Sequence, residues 1–402
     1  MDTTVQELDV TDKTLWKRWQ GVREDFWGDL KNQTLRALQR LLETTMDIEL
    51  QDLIGARRWA HTPSRTAHRN GSYHRTLLTS LGWMGRLRVP RLRSGRVVWH
   101  SLKAYQRRTP DVDKNVLEMF LAGVSTRRVE EVLVPLLGAD ALSASTVSQI
   151  SKVLDGAVTQ FHRRSLQDTY RYLILDGVYL KAKSPVSVKR RCILVAYGIR
   201  QDGARELIDF QVAGHGESQI AWELFLTKLK NRGLEGTALS LAIVDGNKGL
   251  WNALDLVFPG LPRQRCWAHK LRNVANLLPR RLQTPCLNQA RQIYSATSYG
   301  HALRRFRKWK KLWHPIASHA VDCLEQDLES LLVFYRVVPQ GLWVKLRTTN
   351  IIERVFREVR RRTRPMSCFE NVGSVERIIY AIFCRQNNLW KEDPLHEITQ
   401  KS

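Results

Sequence analysis

The spacing of apolar positions predicts helices at the start of the chain. Residues 1–53 mix acidic and apolar positions at helical spacing. An apolar stripe is formed by Leu30, Leu35, Leu38, Leu41 and Leu42. We interpret this stretch as a helical N-terminal segment, for which self-association is a candidate role.

Residues 111–161 return to helical spacing and contain three capping signals. Gly123 can end a first helix, Ser125 can cap a second, and Ser143 or Ser145 can cap a third. This rhythm is typical of a helix-turn-helix unit. The third helix would present three polar side chains to DNA: Thr146, Gln149 and Lys152. A plain three-helix packing module is the alternative.

The period then changes from helical to extended. Three apolar runs separated by turn-forming residues predict antiparallel strands: "YRYLILDGVYL", "RRCILVAYGIR" and "ARELIDFQVAG". They are followed by a helix, "ESQIAWELFLTKLKNRGL", a buried strand, "LSLAIVDG", and another helix, "GLWNALDLVF". The order of three strands, helix, strand, helix is found in ribonuclease H-like domains, so an α/β fold is predicted. From Asn273 to about Leu346 the pattern is helical and rich in Arg, Lys and Trp.

The charge of the chain points to a polyanionic partner. Lys and Arg number 64 against 39 Asp and Glu, which gives a net charge of +25. The excess is concentrated: residues 54–108 contain twelve Arg and one Lys but no Asp or Glu. Within this segment apolar residues alternate with Arg86, Arg88, Arg91 and Arg93, which predicts short extended pieces that hold DNA phosphates. A solvated basic loop is the alternative interpretation.

Cysteine usage and the N-terminus indicate an intracellular protein. The six cysteines include no C-x-x-C pair, so reduced thiols are expected. The first ten residues carry acids where a secretory signal would be basic and then apolar. No apolar run approaches the ~20 residues of a spanning helix, and no membrane association is expected.

Two predicted strands end in a carboxylate. Asp176 ends "YLILD" and Asp245 ends "LAIVD", and each is followed by glycine. Asp-Gly is also a common turn pair, which is the simpler explanation for either one alone. Two such acids in neighbouring strands suit phosphodiester chemistry, in which two divalent ions about 4 Å apart are held by carboxylates.

A third acid, Glu353, lies in "RTTNIIERVFREVRRRTR". Asn350 and Glu353 could instead form a capping-box-like pair. At ~100° per residue, however, Glu353 shares one helix face with three basic residues, Arg357, Arg360 and Arg364. The apolar residues Ile352, Val355 and Val359 lie on another face. An acid on a basic face suits a place where metal ions and the DNA backbone meet.

Taken together, several motifs resemble the Mutator-type transposases of bacterial insertion sequences, which are Asp-Asp-Glu transposases with a ribonuclease H-like core. They are "YHRTLLTSLG", "VPRLR", "AGVSTRRVEEV", "SASTVSQI", "LDGVYLK", "GESQIAWELFLTKLKNRGL", "VDGNKGL", "FPGLPRQRCWAHKLRN" and the stretch around Glu353. The resemblance implies that Asp176, Asp245 and Glu353 form the catalytic, metal-binding triad, with an all-helical insertion between the last two. It also implies two Mg²⁺ ions, with Mn²⁺ as an alternative.

The same resemblance draws attention to "CWAH", which looks like the Cys-x-x-His signature of this family. Cys266 and His269 are expected to support the active site. A zinc site is the alternative, although no second ligand pair follows at finger-like spacing. The chain departs from the family pattern at Phe356, where a polar residue is expected.

These observations predict five regions. They are a helical segment (1–53), a basic DNA-binding region (54–161), the first part of the core (170–275), a helical insertion (276–345) and the last part of the core (346–402). In the insertion, Trp309 lies among basic residues, which suits contact with distorted DNA, although a solvated helix face is the alternative.

The implied function is cleavage at the terminal inverted repeats of a mobile element by metal-activated water and joining of the 3′-hydroxyl ends to target DNA. The resemblance further implies double-stranded DNA as partner, a homodimer or higher oligomer on DNA, and a bacterial cytoplasm with nucleoid association. Two rival interpretations stay open. A non-catalytic DNA-binding regulator would use residues 54–161 alone. A tyrosine recombinase would use a His-x-x-Arg pattern, which occurs at His269 and again at His301.

Overall fold

The computed structural model describes residues 25–138, 141–183, 188–214, 216–364, 369 and 371–391. The described chain forms two compact units. The first takes in the chain up to Phe120 together with Ser125–Ile150, and the second takes in Leu121–Val124 and the chain from Ser151 onward. None of the helices in these ranges combines the length and apolarity needed to cross a bilayer.

The first unit is built around a long helix and a two-stranded ribbon. These elements are α1 (Asp25–Ile54), β1 (Arg69–Thr79) and β2 (Gly82–Leu92). The strands are antiparallel, with Thr79 opposite Gly82 at the turn. Met46 of α1 is fully buried in a core with ribbon residues Leu77, Met84, Leu87 and Val89. Of the predicted stripe on α1, Leu35 and Leu42 pack against this core, whereas Leu38 and Leu41 are exposed.

Three helices follow: α2 (Pro110–Leu121), α3 (Thr126–Leu137) and α4 (Ala144–Ser151). Ser125 caps α3 by accepting a hydrogen bond from the Arg128 N–H at 3.3 Å. Ser143 accepts from the Thr146 N–H at 3.2 Å at the start of α4. Gly123 follows α2 with φ 93°, which a side chain would disfavour. The three predicted helices and their caps are confirmed.

The second unit contains the predicted α/β section. Its elements are α5 (Leu154–Arg163), β3 (Tyr170–Lys183), β4 (Val188–Arg200), β5 (Arg205–Ala213), α6 (Gln219–Asn231), β6 (Leu241–Val244), α7 (Lys248–Val257) and β7 (Arg263–Arg265). The predicted order of three strands, helix, strand, helix is therefore confirmed. The five strands form one sheet with the order β5-β4-β3-β6-β7.

The strand directions decide which residues meet at the edge of the sheet. β3 pairs with β4, and β4 with β5, in antiparallel fashion. β6 runs parallel to β3, from Tyr172 opposite Leu241 to Leu175 opposite Val244. β7 runs parallel to β6. Because parallel strands end at the same edge of a sheet, the residues after Leu175 and Val244 lie side by side.

Beyond β7, the regular elements of the described chain are helical. They are α8 (Trp267–Asn276), α9 (Arg280–Tyr294), α10 (Tyr299–Glu325), α11 (Leu328–Leu331), α12 (Phe334–Val337), a 3₁₀ turn (Gln340–Leu342), α13 (Trp343–Leu346), α14 (Asn350–Thr363) and α15 (Val372–Lys391). All of these helices belong to the second unit, which also contains the sheet.

Helices cover both faces of the sheet. On one face Trp222 and Phe225 of α6 and Leu250 of α7 share a core with Leu175 and Val244. On the other face α15 packs against β5, where the ring centroids of Phe383 and Phe210 are 5.3 Å apart. In this layered α/β arrangement, helices shield the apolar side chains on both faces of the sheet from water. Polar side chains can then lie at the ends of the strands.

Candidate active site

Asp176 lies inside β3, one residue beyond the last pair that β3 makes with β6. Its side chain is only 7% exposed. The Gly177 N–H donates a hydrogen bond to Asp176 Oδ1 at 2.8 Å. Burial of a carboxylate in this position is costly, because the sheet around it is apolar.

Asp245 directly follows β6 and occupies the corresponding position on the neighbouring strand. The Asn247 N–H donates to Asp245 Oδ1 at 2.9 Å, and the Trp251 indole N–H donates to the Asp245 carbonyl oxygen at 2.9 Å. These contacts fix the turn into α7. The structure therefore brings the two predicted strand-end acids to the same edge of the sheet.

The pKa of Asp176 reflects this crowding of acids. The pKa is raised to about 7, with burial as the largest cause; the negative charges of Asp245 and Glu217 also raise it, while His269 and the Gly177 N–H act in the opposite direction. Burial likewise raises the pKa of Glu217, with Asp245 the next cause. Three carboxylates thus influence one another at this edge of the sheet.

Glu353 lies on α14, whose two faces match the predicted pattern. Ile352, Val355 and Val359 are buried, whereas Arg357 is exposed. Glu353 Oε1 lies 3.7 Å from His269 Nε2 and 3.5 Å from an Arg272 guanidinium nitrogen.

The alternative that Glu353 completes a capping box with Asn350 is wrong. The residue that caps α14 is Thr349, whose side chain makes no capping hydrogen bond. The carboxylate of Glu353 contacts side chains of α8 rather than the first turn of its own helix.

Cys266 and His269 join the strand ends to α14. Thr349 is fully buried, and its N–H donates to Cys266 Sγ at 3.2 Å. The Thr349 hydroxyl lies 3.3 Å from Cys266 Sγ and 3.5 Å from His269 Nδ1. His269 therefore has Thr349 at one ring nitrogen and Glu353 near the other.

Hydrogen bonding with Cys266 raises the pKa of His269 to about 9, and the charges of Asp176 and Asp245 contribute to the rise. Burial alone would raise the pKa of the Cys266 thiol, but its hydrogen bonds with His269 and Thr349 outweigh burial and lower it. The surroundings of His269 thus favour the positively charged form of its imidazole.

The donor set fits hard divalent ions by its chemistry, because Asp176, Asp245 and Glu353 supply only carboxylate oxygens. Within the described ranges, no three side chains of His, Cys, Asp or Glu converge closely enough to hold a metal ion. Neither Cys266 and His269, the candidates for zinc, nor the three acids form such a group. Asp176 and Asp245 lie side by side, and Glu353 lies 3.7 Å from His269, whose pKa the charges of both aspartates raise.

Glu217 is an acid of this site that the sequence pattern does not single out, because it is only the first residue of the stretch predicted as the helix "ESQIAWELFLTKLKNRGL". It lies directly before Ser218, which caps α6. Its carboxylate accepts hydrogen bonds from Asn247 Nδ2 at 3.1 Å and from Cys192 Sγ at 3.4 Å. The glycine of "LDG" was a usable clue, because such a glycine can mark the close approach of another group.

The predicted DNA contacts on α14 are available to a ligand. Arg357, Arg360 and Arg364 are exposed and, with Arg361, line a surface pocket of about 460 Å³. Arg361 is itself paired with Glu358, at 2.7 Å. Exposed guanidinium groups on one face suit phosphate oxygens.

The four predicted ribbon arginines differ in their surroundings. Arg88 forms ion pairs with Asp47 and Glu43 of α1, so its charge is already compensated inside this unit. Arg86, Arg91 and Arg93 are exposed. Arg91 stacks on Tyr73, with 4.5 Å between the guanidinium carbon and the ring centroid.

The ribbon also forms a groove of about 750 Å³ that the sequence did not reveal, which we call the ribbon groove. Its lining combines arginines and aromatic rings, namely Arg75, Arg91, Arg96, Arg107, Tyr73, Trp83, Trp99 and Tyr105. Tyr105 is 85% exposed. Basic and aromatic groups side by side are typical of nucleic-acid surfaces.

In the helix-turn-helix-like part, Gln149 and Lys152 are exposed, and Thr146 is partly buried. The Thr146 hydroxyl contacts Ser143 Oγ at 3.0 Å, so it belongs to the cap of α4. Lys152 lies just beyond the end of α4.

The prediction that Trp309 contacts DNA is contradicted by its burial. Its ring is 3% exposed, and its indole N–H donates to the Cys286 carbonyl oxygen at 3.3 Å. A ring enclosed between α9 and α10 cannot stack on a base. The burial concerns the ring alone, because the basic neighbours Arg304, Arg307, Lys308 and Lys311 are exposed, as the alternative of a solvated basic face requires.

Comparison with known proteins identifies the family. The model of the family described as "Transposase, Mutator family" matches residues 13–393. The chain therefore belongs to the Mutator family of transposases, and the resemblance inferred from its motifs is confirmed.

Several relatives share most of the chain. It is 35% identical over 355 residues to the transposase for insertion sequence element ISRM5 of Rhizobium meliloti, covering 88% of each chain. It is 33% identical over 359 residues to the transposase for insertion sequence element IS256 in transposon Tn4001 of Staphylococcus aureus, covering 88% of this chain and 90% of the relative.

Among solved structures, the Drosophila P element transposase strand transfer complex matches 72% of this chain and 84% of that chain, with 10% identity and a TM-score of 0.30.

Proposed function

We propose that this transposase binds the ends of an insertion sequence, cleaves phosphodiester bonds there with divalent metal ions, and joins the freed 3′-hydroxyl ends to target DNA. The observation that carries the proposal is the placement of Asp176 and Asp245 on adjoining parallel strands. Glu353 lies 3.7 Å from His269, which interacts electrostatically with both aspartates. The relatives support it, because they are named as transposases of insertion sequences.

We assign the sheet-containing unit to the ribonuclease H-like class. The support is the strand order β5-β4-β3-β6-β7, with an antiparallel half and a parallel half joined at β3. Helices cover both faces, and the acids lie where the two halves meet. The five regions predicted from the sequence, with boundaries at residues 53, 161, 275 and 345, are part of this proposal.

Each acid of the site would have a defined part. Asp176, Asp245 and Glu353 would hold Mg²⁺ or Mn²⁺, and two such ions supply Lewis-acid activation of the attacking oxygen and stabilisation of the leaving one. His269 would orient Glu353, and Thr349 and Cys266 would hold the His269 ring. Cys266 and His269 thus support the site in this proposal rather than bind zinc.

DNA would be held by exposed basic groups in both units. In the second unit, Arg357, Arg360 and Arg364 line one surface pocket on α14 and at its C-cap, and they would hold the phosphates at the site of cleavage. In the first unit, the ribbon groove would hold the element ends, together with Arg86, Arg93 and Gln149 on exposed surfaces, and Lys152, at the start of the second unit, would add an exposed charge. Assembly of two or more copies on paired ends is part of the proposal.

The decisive experiment is cleavage and joining of DNA that carries the ends flanking this chain's own coding sequence, with and without Mg²⁺. Glu353→Gln, Asp176→Asn and Asp245→Asn keep the size of the side chain but remove its charge. Each should abolish cleavage and joining while binding to the element ends persists. Loss of catalytic carboxylates commonly costs several orders of magnitude in rate.

Glu329→Gln is the matched control, because Glu329 is an exposed acid on the short helix α11. It should leave cleavage unchanged. Strand transfer by Glu353→Gln at the wild-type rate, at equal folded concentration, would contradict the assignment. A wild-type protein that binds the ends but never cleaves them would support the alternative of a non-catalytic regulator.

A further inference from the structure

Glu217 enters the active site from outside the two strands that carry the aspartates. Its side chain is partly buried rather than directed into solvent. A Cβ atom added to Gly177 would lie 2.0 Å from Glu217 Oε1, far inside van der Waals contact. Position 177 therefore has to be glycine for Glu217 to occupy this place, directly beside Asp176 on β3.

A chain of hydrogen bonds connects Glu217 to Asp245. Asn247 Nδ2 donates to Glu217 Oε2 at 3.1 Å and to the Glu217 carbonyl oxygen at 3.1 Å. The main-chain N–H of the same asparagine donates to Asp245 Oδ1 at 2.9 Å. Asn247 also caps α7 by accepting from the Leu250 N–H at 3.2 Å. One residue is thus tied to the helix, to Glu217 and to Asp245.

The ordinary explanation for an acid before a helix is favourable interaction with the helix dipole. That explanation does not account for the direction of this side chain. Ser218 already caps α6 through its own hydroxyl. An outward-pointing carboxylate would interact with the dipole without being placed beside two other acids, where like charges repel. The inward position therefore needs a reason connected with the site.

We propose that Glu217 is a positioning residue of the catalytic centre. Through Asn247 it fixes the main chain that orients the Asp245 carboxylate, and through its contact at Gly177 it sets the space beside Asp176. This inference rests on the proposed function, because it concerns the two aspartates that would hold the metal ions. Residues that orient metal ligands typically change metal affinity about 10–100-fold when they are replaced.

The test measures metal binding directly, without DNA, by the electron paramagnetic resonance signal of free Mn²⁺ during titration of the full-length protein. Glu217→Ala should weaken Mn²⁺ binding about 10–100-fold. Glu217→Gln keeps an acceptor for Asn247 and should weaken binding less. Asn247→Ala should reproduce the loss, and the double variant Glu217→Ala with Asn247→Ala should be no weaker than the worse single variant, since both act through one connection.

Glu235→Gln is the matched control, because Glu235 is an exposed acid two residues beyond Gly233, outside α6. It should bind Mn²⁺ like the wild type. In parallel, the Mg²⁺ concentration for half-maximal cleavage should rise in the Glu217 variants, while binding to the element ends and the melting temperature of Glu217→Gln stay at wild-type values.

Unchanged Mn²⁺ affinity in both Glu217 variants, with normal wild-type binding, would overturn the positioning role alone. Additive losses in the double variant would overturn the connection through Asn247. If the wild-type protein itself binds no Mn²⁺ and cleaves no DNA, the proposed metal site fails, and this inference fails with it. If Glu217→Ala does not fold, the comparison of Glu217→Gln with Glu235→Gln decides the question.

Discussion

At the scale of single residues, the site depends on side chains that position other side chains through hydrogen bonds. Thr349 is buried, and its hydroxyl and N–H both meet Cys266, while the same hydroxyl reaches His269. His269 in turn faces Glu353. Buried polar groups of this kind are stable only when each has a partner, so they specify one arrangement of α8 against α14. The Cys-x-x-His spacing places both side chains within reach of the Thr349 hydroxyl.

A second acid of α14, Glu358, makes a prediction about pH. Its hydrogen bond with Arg361 is the main cause that lowers the pKa of Glu358 from 4.5 to about 2, and Arg362 contributes. The Arg362 side chain is only 4% exposed. Because the folded-state pKa is lowered, the ion pairs stabilise the protein above the ordinary pKa, and that stabilisation is lost as the pH falls through about 2.

Glu358→Gln should therefore lower the free energy of unfolding by about 1–2 kcal/mol at neutral pH, because Arg362 loses its charged partner. The difference from the wild type should shrink steadily as the pH falls from 4.5 toward 2. Urea unfolding at a series of pH values measures this difference. A gap that stays constant down to acid pH would show that the charge of Glu358 is not its cause.

At the scale of elements, the amphipathic pattern predicts which helix faces are buried. It is a poor guide to whether an aromatic residue packs in the core or contacts a ligand. α14 buries Ile352, Val355 and Val359 and exposes Arg357, as the 3.6-residue period requires. Phe356, where a polar residue was expected, is 1% exposed and extends the same buried face. α10 follows the same rule: Trp309 lies on its buried face, with basic residues on either side in sequence.

Trp309→Ala should accordingly destabilise the fold. Removal of a buried tryptophan leaves a cavity and costs about 3–5 kcal/mol. Lys308→Ala, at the exposed neighbouring position, should change the free energy of unfolding by no more than about 0.5 kcal/mol. Urea denaturation of both variants measures the contrast. If Trp309→Ala kept wild-type stability but lost DNA binding, the result would indicate that the ring contacts DNA and is not a core residue.

At the scale of the whole molecule, the charge of +25 is distributed unevenly. In the first unit, acids of α1 compensate some arginines of the ribbon, as Asp47 and Glu43 do for Arg88. The ribbon groove is lined by other arginines, next to aromatic rings such as the exposed Tyr105. Total charge therefore indicates a polyanion, whereas local pairing decides which arginines can meet it.

The ribbon groove leads to a prediction about salt. Replacing both Arg91 and Arg96 with alanine should weaken binding to element ends and reduce the slope of log affinity against log salt by about 0.9 for each phosphate that the variant no longer neutralises. Tyr105→Ala should weaken binding without changing the slope, because an uncharged ring releases no counterions. Fluorescence anisotropy of the full-length protein at several salt concentrations measures both.

Arg36→Ala is the control for charge alone, since Arg36 is exposed on α1 and does not line the ribbon groove. It should leave the slope close to the wild-type value. An equal change of slope in Arg36→Ala and in the double variant would show that net charge, rather than the groove, governs binding. The full chain is needed for this test, because Met46 and Leu50 of α1 are buried in the cores of the same unit.

Much of the local structure follows from the sequence because it depends on short-range chemistry. The order of strands and helices around Asp176 and Asp245, the caps at Ser125 and Ser143, and the two faces of α14 all follow from side-chain period and capping groups. The family follows from motifs that are read position by position. None of these features requires knowledge of which distant residues meet.

The tertiary structure alone decided the features that depend on long-range contacts. Sequence spacing could not show that Glu217 lies against Gly177, because the two are 40 positions apart in the sequence and only the folding of the chain into the sheet brings them together. It could not show that Trp309 is enclosed, because the residues that cover it lie on α9. Burial and pairing are properties of the packed chain, so local pattern supplies the candidates and packing selects among them.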